Sequence, residues 1–183
     1  FVVAVTGASG AIYARRLLEE LKGGGHDTLL LISDEAKNVM KDENEDVQKF
    51  IELATRTFSE HDLDTPASSG SVKTAGMIVV PCSMKTVSSI AHGLSGNAIT
   101  RAADVTLKER RQLIVVPRET PLSAIHLRNL LRVAEAGAIV LPAMPAFYTK
   151  PKSVDDMVNF VVGRILDLLN VSHNLFRRWG ETD

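Results

Sequence analysis

Five short apolar runs punctuate the chain: Phe1–Val5, Thr28–Ile32, Met77–Val80, Leu113–Val116 and Ala138–Leu141. None of them alternates apolar and polar residues. A strand that is apolar throughout is covered on both faces, which is the environment of a parallel sheet between helices. The stretches between the runs have helical periodicity. Ala11–Lys22 carries Ile12, Leu17, Leu18 and Leu21 with charge between them, and Gly23-Gly24-Gly25 ends it. Val47–Ala54, Val87–His92, Ile99–Arg111, Leu122–Ala136 and Val154–Leu169 also read as helices, the fourth strongly amphipathic. The alternation predicts an α/β fold, an open doubly wound parallel sheet of about five or six strands. At 183 residues the chain reads as a single domain, 1–183, with no linker or repeat.

Net charge is −1, so nothing global points to nucleic acid or an anionic membrane, and any basic site must be local. The single cysteine, Cys82, excludes an intrachain disulfide framework. No apolar run is long enough to span a bilayer, and no signal-peptide pattern is visible. A reducing, cytoplasmic setting is therefore expected. The chain opens at Phe1 already inside a strand-like run, so a few natural residues are expected to precede it. Lys41–Asp46 is highly charged and reads as a solvated bend, and Ser59–Ala75 as a long loop.

The most informative stretch is Met77–Thr86, where an apolar run stops at Pro81 and the polar elbow Cys82-Ser83-Met84-Lys85-Thr86 opens a helix. Ligands of such folds sit outside the carboxyl ends of the strands, and free N–H groups at a helix start attract anions. That edge should collect Thr6–Gly10, Ser33, Pro81–Thr86, Arg118–Glu119 and Phe147–Tyr148. Hydroxyls, backbone N–H groups and a guanidinium suit phosphate, each charge-assisted bond contributing roughly 1.5–3 kcal/mol. No Cys/His/carboxylate group has metal-ligand spacing, so no metal is expected. Most of these residues have a second reading. Ser9 and Ser33 also suit helix caps, and Glu119 could pair with Arg118. Arg101 and Lys108 are seven positions apart, on one helix face, with Arg111 on or near it. Arg164 interrupts an apolar stretch, and Trp179 lies beside Arg177 and Arg178 in a polar tail that suggests an interface.

Thr6-Gly7-Ala8-Ser9-Gly10 also looks like the start of a nicotinamide-binding fingerprint, and Tyr148 with Lys152 mimics a reductase pair. Two details oppose that reading. Tyr13 stands where the third glycine belongs, and Pro151 opposes a helix carrying Tyr148 and Lys152 on one face.

The segments TGASGA, PCSMKT, RAADVTLKERR, VPRETPLS, PAFYTKP and RRWGE occur in order along nearly the whole chain. Together they resemble the UbiX-like flavin prenyltransferases, flavoproteins of Rossmann-like or flavodoxin-like fold formerly described as phenolic-acid or polyprenyl-hydroxybenzoate decarboxylase subunits. The related cysteine decarboxylases carry a PxMN-type motif, and Pro142-Ala143-Met144-Pro145 lacks its Asn. The resemblance implies metal-free transfer of a dimethylallyl group from dimethylallyl monophosphate to N5 and C6 of reduced FMN. Prenylated FMN would then serve a UbiD-type decarboxylase. It implies a homo-oligomer, commonly a dodecamer, with sites where subunits meet and the tail 172–183 at an interface. It also implies a flavin site of Gly7, Ala8, Ser9, Ser33, Ser83, Met84, Lys85, Thr86 and Arg118. Tyr148 and Arg164 would hold the allylic phosphate, Arg101 and Lys108 would add positive charge, and Trp179 would wall the prenyl pocket. Ser9, Glu43, Lys108 and Glu119 would form the catalytic group, with either the departing phosphate or an acid side chain as base. Two other readings stay open: a flavin- or NAD(P)H-dependent oxidoreductase, and a non-catalytic FMN carrier for a decarboxylase.

Overall fold

The computed structural model describes residues 1–180. Each apolar run becomes a strand. The elements in order are β1 (Val2–Val5), α1 (Ala11–Gly23), β2 (Leu29–Ile32), α2 (Asp34–Asp42), α3 (Val47–Leu53), β3 (Arg56–Ser59), β4 (Gly76–Cys82), α4 (Met84–Ala91), α5 (Ala98–Lys108), β5 (Gln112–Pro117), α6 (Ala124–Glu135), β6 (Ile139–Val140) and α7 (Val154–Leu168). All strands pair in parallel in one six-stranded sheet of order β3-β2-β1-β4-β5-β6. This is the order of dinucleotide-binding folds; without the edge strand β3 it reduces to the flavodoxin order.

Successive strand residues point to opposite faces. Val3, Val5, Leu30, Ile32, Ile78 and Val80 pack under α1, α3 and α7, with Leu17, Phe50 and Val161. Val2, Ala4, Leu31, Met77, Val79 and Val115 pack under α4, α5 and α6, with Val87, Ile99 and Val133. Both faces are dry, as the unbroken apolar runs require.

Three features depart from the sequence reading. β3 carries one apolar side chain, Phe58, at a half-exposed edge, and Arg56 lies over its ring at 4.9 Å. So little apolar pattern leaves no signal to read. β4 continues through Pro81 to Cys82, with its register to β5 shifted between Val79 and Cys82. Pro lacks the N–H of a regular ladder, so the strand accommodates it at an irregularity. The loop before β4 holds a 3-10 turn at Pro66–Ser68, and Arg111 donates to the Val72 and Gly70 carbonyls at 2.7 and 2.6 Å. Arg111 thus pins this loop and is not part of an open basic face.

Candidate active site

Parallel strands deliver their carboxyl ends to one edge, and successive connections diverge between β1 and β4. Thr6, buried at that point, ties the two loops together. Its hydroxyl donates to the Pro81 carbonyl at 2.9 Å and accepts the Ser83 N–H at 2.8 Å. Gly7 lies hard against α2, where a Cβ would come within 2.5 Å of the Glu35 Cβ. Only glycine permits that approach.

Three helix starts converge on this edge, each with partial positive charge from its free N–H groups. Ser33 caps α2, accepting the Ala36 N–H at 3.1 Å. Ser83 caps α4, accepting the Thr86 N–H at 3.3 Å, with its hydroxyl 3.1 Å from that of Thr86. Both hydroxyls remain able to donate to an incoming anion. The start of α1 differs, because Ser9 does not cap it. Gly10, with φ of 107°, holds the N-cap position without a side-chain bond of its own. Glu43 supplies the acceptors instead, its carboxylate taking the Gly10 and Ala11 N–H groups at 2.8 and 2.9 Å. The Ser9 hydroxyl is left exposed in the loop.

These loops enclose three adjoining spaces. A cleft of about 140 Å³ is lined by Gly7, Ser33, Ser83, Lys85 and Thr86, with Thr100 from α5. A cavity of about 400 Å³ holds Ser9, Tyr13, Glu43 and Arg118 against Ala143 and Met157. A third, of about 270 Å³, shares Arg118 and adds Glu119, Leu122 and Met144. Arg118 therefore stands between two cavities, and its Nε is buried with no hydrogen-bond partner among the described residues. A buried unpaired donor costs free energy unless a ligand completes it. Glu119 accepts the Thr120 N–H at 3.0 Å and makes no ion pair with Arg118 among the described residues.

The other anticipated residues are distributed more widely. Ala8 and Met84 are buried, so only their backbones are available to a ligand. Tyr148 meets Trp179 and Phe160 edge-on, with ring centroids 5.0 and 6.0 Å apart. Arg164 lines a groove of about 380 Å³ beside Phe160 and Met144, and its guanidinium meets Asp167 at 3.2 Å. Arg101 pairs with Asp104 at 3.2 Å. Lys108 ends α5 at the opposite edge of the sheet, pairing with Glu109 at 2.8 Å. One copy of the chain does not bring Arg101 or Lys108 into the cavity that holds Ser9. Residues 181–183 of the tail lie outside the described residues. Tyr148 and Lys152 do not share a helix, which removes the reductase pair.

Sequence reasoning missed the apolar wall of Ala143, Pro145 and Met157. It also missed Asn97 and Thr100, whose reciprocal capping box opens α5 beside the cleft; the N-x-x-T spacing was the available signal. Burial raises the Tyr13 phenol and pushes the Cys82 thiol far up, so neither is a ready nucleophile.

Hydroxyls, helix-start N–H groups and a buried guanidinium thus line the spaces at the strand ends. Residues 1–166 match the Flavoprotein family model. The flavin prenyltransferase UbiX of Methanocaldococcus jannaschii is 52% identical over 180 residues, covering 98% of this chain and 97% of the relative. The crystal structure of AnUbiX in complex with FMN and dimethylallyl pyrophosphate superposes with a TM-score of 0.96 at 45% identity, covering 100% of this chain and 97% of the other. A dodecameric FMN-dependent UbiX-like decarboxylase from Escherichia coli gives 0.95 at 43%, with 98% of both chains covered. Full-length identity at this level, joined to the shared fold, shows that the chain belongs to the UbiX-type flavin prenyltransferases of the Flavoprotein family.

Proposed function

We propose that this chain transfers a dimethylallyl group from an allylic phosphate, dimethylallyl monophosphate, to reduced FMN. The observation that carries the reading is the unpartnered Arg118 Nε between cavities, beside a cleft rich in hydroxyl and N–H donors. Such donors fit a phosphorylated flavin. Ser33, Ser83, Lys85 and Thr86 offer hydroxyls, an ammonium and the starts of α2 and α4. Gly7 and Ala8 let the β1 loop approach closely, Met84 contributes its backbone in the first turn of α4, and Arg118 supplies a fixed guanidinium. Bound reduced flavin supplies the nucleophilic centres N5 and C6.

The remaining work falls to the protein. Loss of phosphate builds negative charge, which Arg164, Tyr148, Arg101 and Lys108 stabilise as donors. Arg101 and Lys108 come from a neighbouring copy in this reading, since one copy leaves them outside the cavity. Ala143 and Met157 exclude water from the allylic carbon, and Trp179 walls the pocket beside Tyr148. Ser9 stands exposed at the cavity, free of capping duty. Glu43 and Glu119, each lining a cavity beside Arg118, are the side-chain candidates to accept the departing proton, with the leaving phosphate as the other acceptor. A homo-oligomer, a dodecamer as the Escherichia coli relative is described, brings the parts together. The product serves a UbiD-type decarboxylase. Among the described residues no helix is long and apolar enough to cross a membrane, and a cytoplasmic setting completes the proposal.

The deciding experiment is anaerobic. The protein is mixed with reduced FMN and dimethylallyl monophosphate, and the released flavin is weighed by mass spectrometry. A gain of one prenyl unit, absent without the allylic phosphate, is expected, and the diphosphate should react more slowly. Unmodified FMN from a protein that binds it would overturn the transferase reading in favour of a carrier.

A further inference from the structure

Helix α6 is amphipathic, yet much of its apolar surface faces away from the protein. It buries only Asn129 and Val133 among its 12 residues, whereas α5 buries seven of its 11. Leu127 and Leu131 are 54% and 58% exposed, and Ile125 is 66% exposed. Leu127 and Leu131, four apart, form an outward stripe. Beside it run Arg128 and Glu135, seven positions and about 10.5 Å apart along the axis. Neither has an ion-pair partner among the described residues, whereas Arg132 next to them meets His92.

We infer that this face is an isologous contact with α6 of a second copy, the two helices running antiparallel about a two-fold axis. In an antiparallel pair, facing positions have a constant sum. An axis passing between Leu131 and Arg132 sets Arg128 of each copy opposite Glu135 of the other, with the two Leu131 side chains meeting at the axis between the ion pairs and Leu127 just outside them, opposite Ala136. The face is therefore complementary to itself under a two-fold rotation. A parallel arrangement brings Arg128 against Arg128 and is repelled. Another protein would have to match the stripe and both charges, whereas a second copy carries all of them. The inference rests on the oligomeric reading proposed above and assigns one of its contacts.

The test is native mass spectrometry and light scattering on the full chain. Leu131→Asp should at least halve the mass of the assembly. Arg128→Glu and Glu135→Arg, both surface changes, should each raise the concentration for half-dissociation about tenfold. The double variant, with the charges exchanged, should return it to the wild-type value. Wild-type mass for a folded Leu131→Asp protein would overturn the assignment while leaving the oligomer intact. So would a double variant no better than either single one, which decides the matter if Leu131→Asp does not fold. A wild-type protein that is a single subunit would instead remove the oligomeric reading and this contact together.

Discussion

The carboxylate of Glu43 closes on the backbone of Gly10, 33 positions away, at 2.8 Å, and its second oxygen takes the neighbouring Ala11 N–H. A side chain from the end of α2 thus supplies the negative charge that the start of α1 attracts. A dinucleotide pyrophosphate would meet a filled site there. Glu43→Ala should lower stability by about 1 kcal/mol through the lost cap, a fall in Tm of roughly 2–4 °C. Prenyl transfer should fall by more than tenfold while FMN affinity changes little. Thermal unfolding and single-turnover transfer check the two parts, and unchanged transfer would confine Glu43 to a structural role.

Arg118 should govern flavin affinity. Arg118→Ala removes a charge-assisted donor and should weaken FMN binding by about 10- to 100-fold. Arg118→Lys should restore little, because an ammonium cannot reproduce the guanidinium fork. Calorimetry of FMN binding reads both.

Gly7 tolerates no side chain against α2. Gly7→Ala should cost about 1–3 kcal/mol, since its Cβ would sit 2.5 Å from that of Glu35. Adding Glu35→Gly should recover part of the loss, and a double-mutant cycle by denaturant unfolding measures the coupling.

Arg164→Ala and Tyr148→Phe should slow prenyl transfer by more than tenfold and leave flavin binding within about twofold, as expected of donors to a transferred phosphate. Parallel losses in binding and transfer would reassign both residues to the flavin.

Acid should loosen the tail. Burial alone would raise the Asp167 carboxyl, but hydrogen bonds from Arg178 and His173 outweigh it and hold the group below its usual range. The folded value is then below the unfolded one of about 3.9. The stabilisation is complete above that unfolded value and is lost as pH falls through the folded one. Trp179, the only tryptophan, should report a fluorescence change below about pH 4. Asp167→Asn should abolish that acid transition.

The sheet was legible because its runs are apolar on both faces, and the helices because their caps and periodicity agree. β3 was not, because an exposed edge strand with one aromatic carries no pattern. Ser33 was readable as a cap from its place before a helical pattern, whereas the same reading for Ser9 failed and Ser83 was read only as part of a polar elbow. The Glu43–Gly10 contact joins residues far apart in sequence, and no local rule assigns a cap across that distance. Arg101 and Lys108 show a further limit: seven-residue spacing places them on one face of α5, but nothing in that spacing says what the face meets. The apolar wall of Ala143 and Met157 comes from a Pro-rich loop and from α7, two segments that only the folded chain brings together.

Cys82 lies fully buried at the end of a central strand, flanked on both sides by paired strands. A thiol reagent reaches it only when the sheet itself opens. Its labelling rate therefore clocks global unfolding without a fluorophore or isotope, against which the fraying of any loop or tail can be timed.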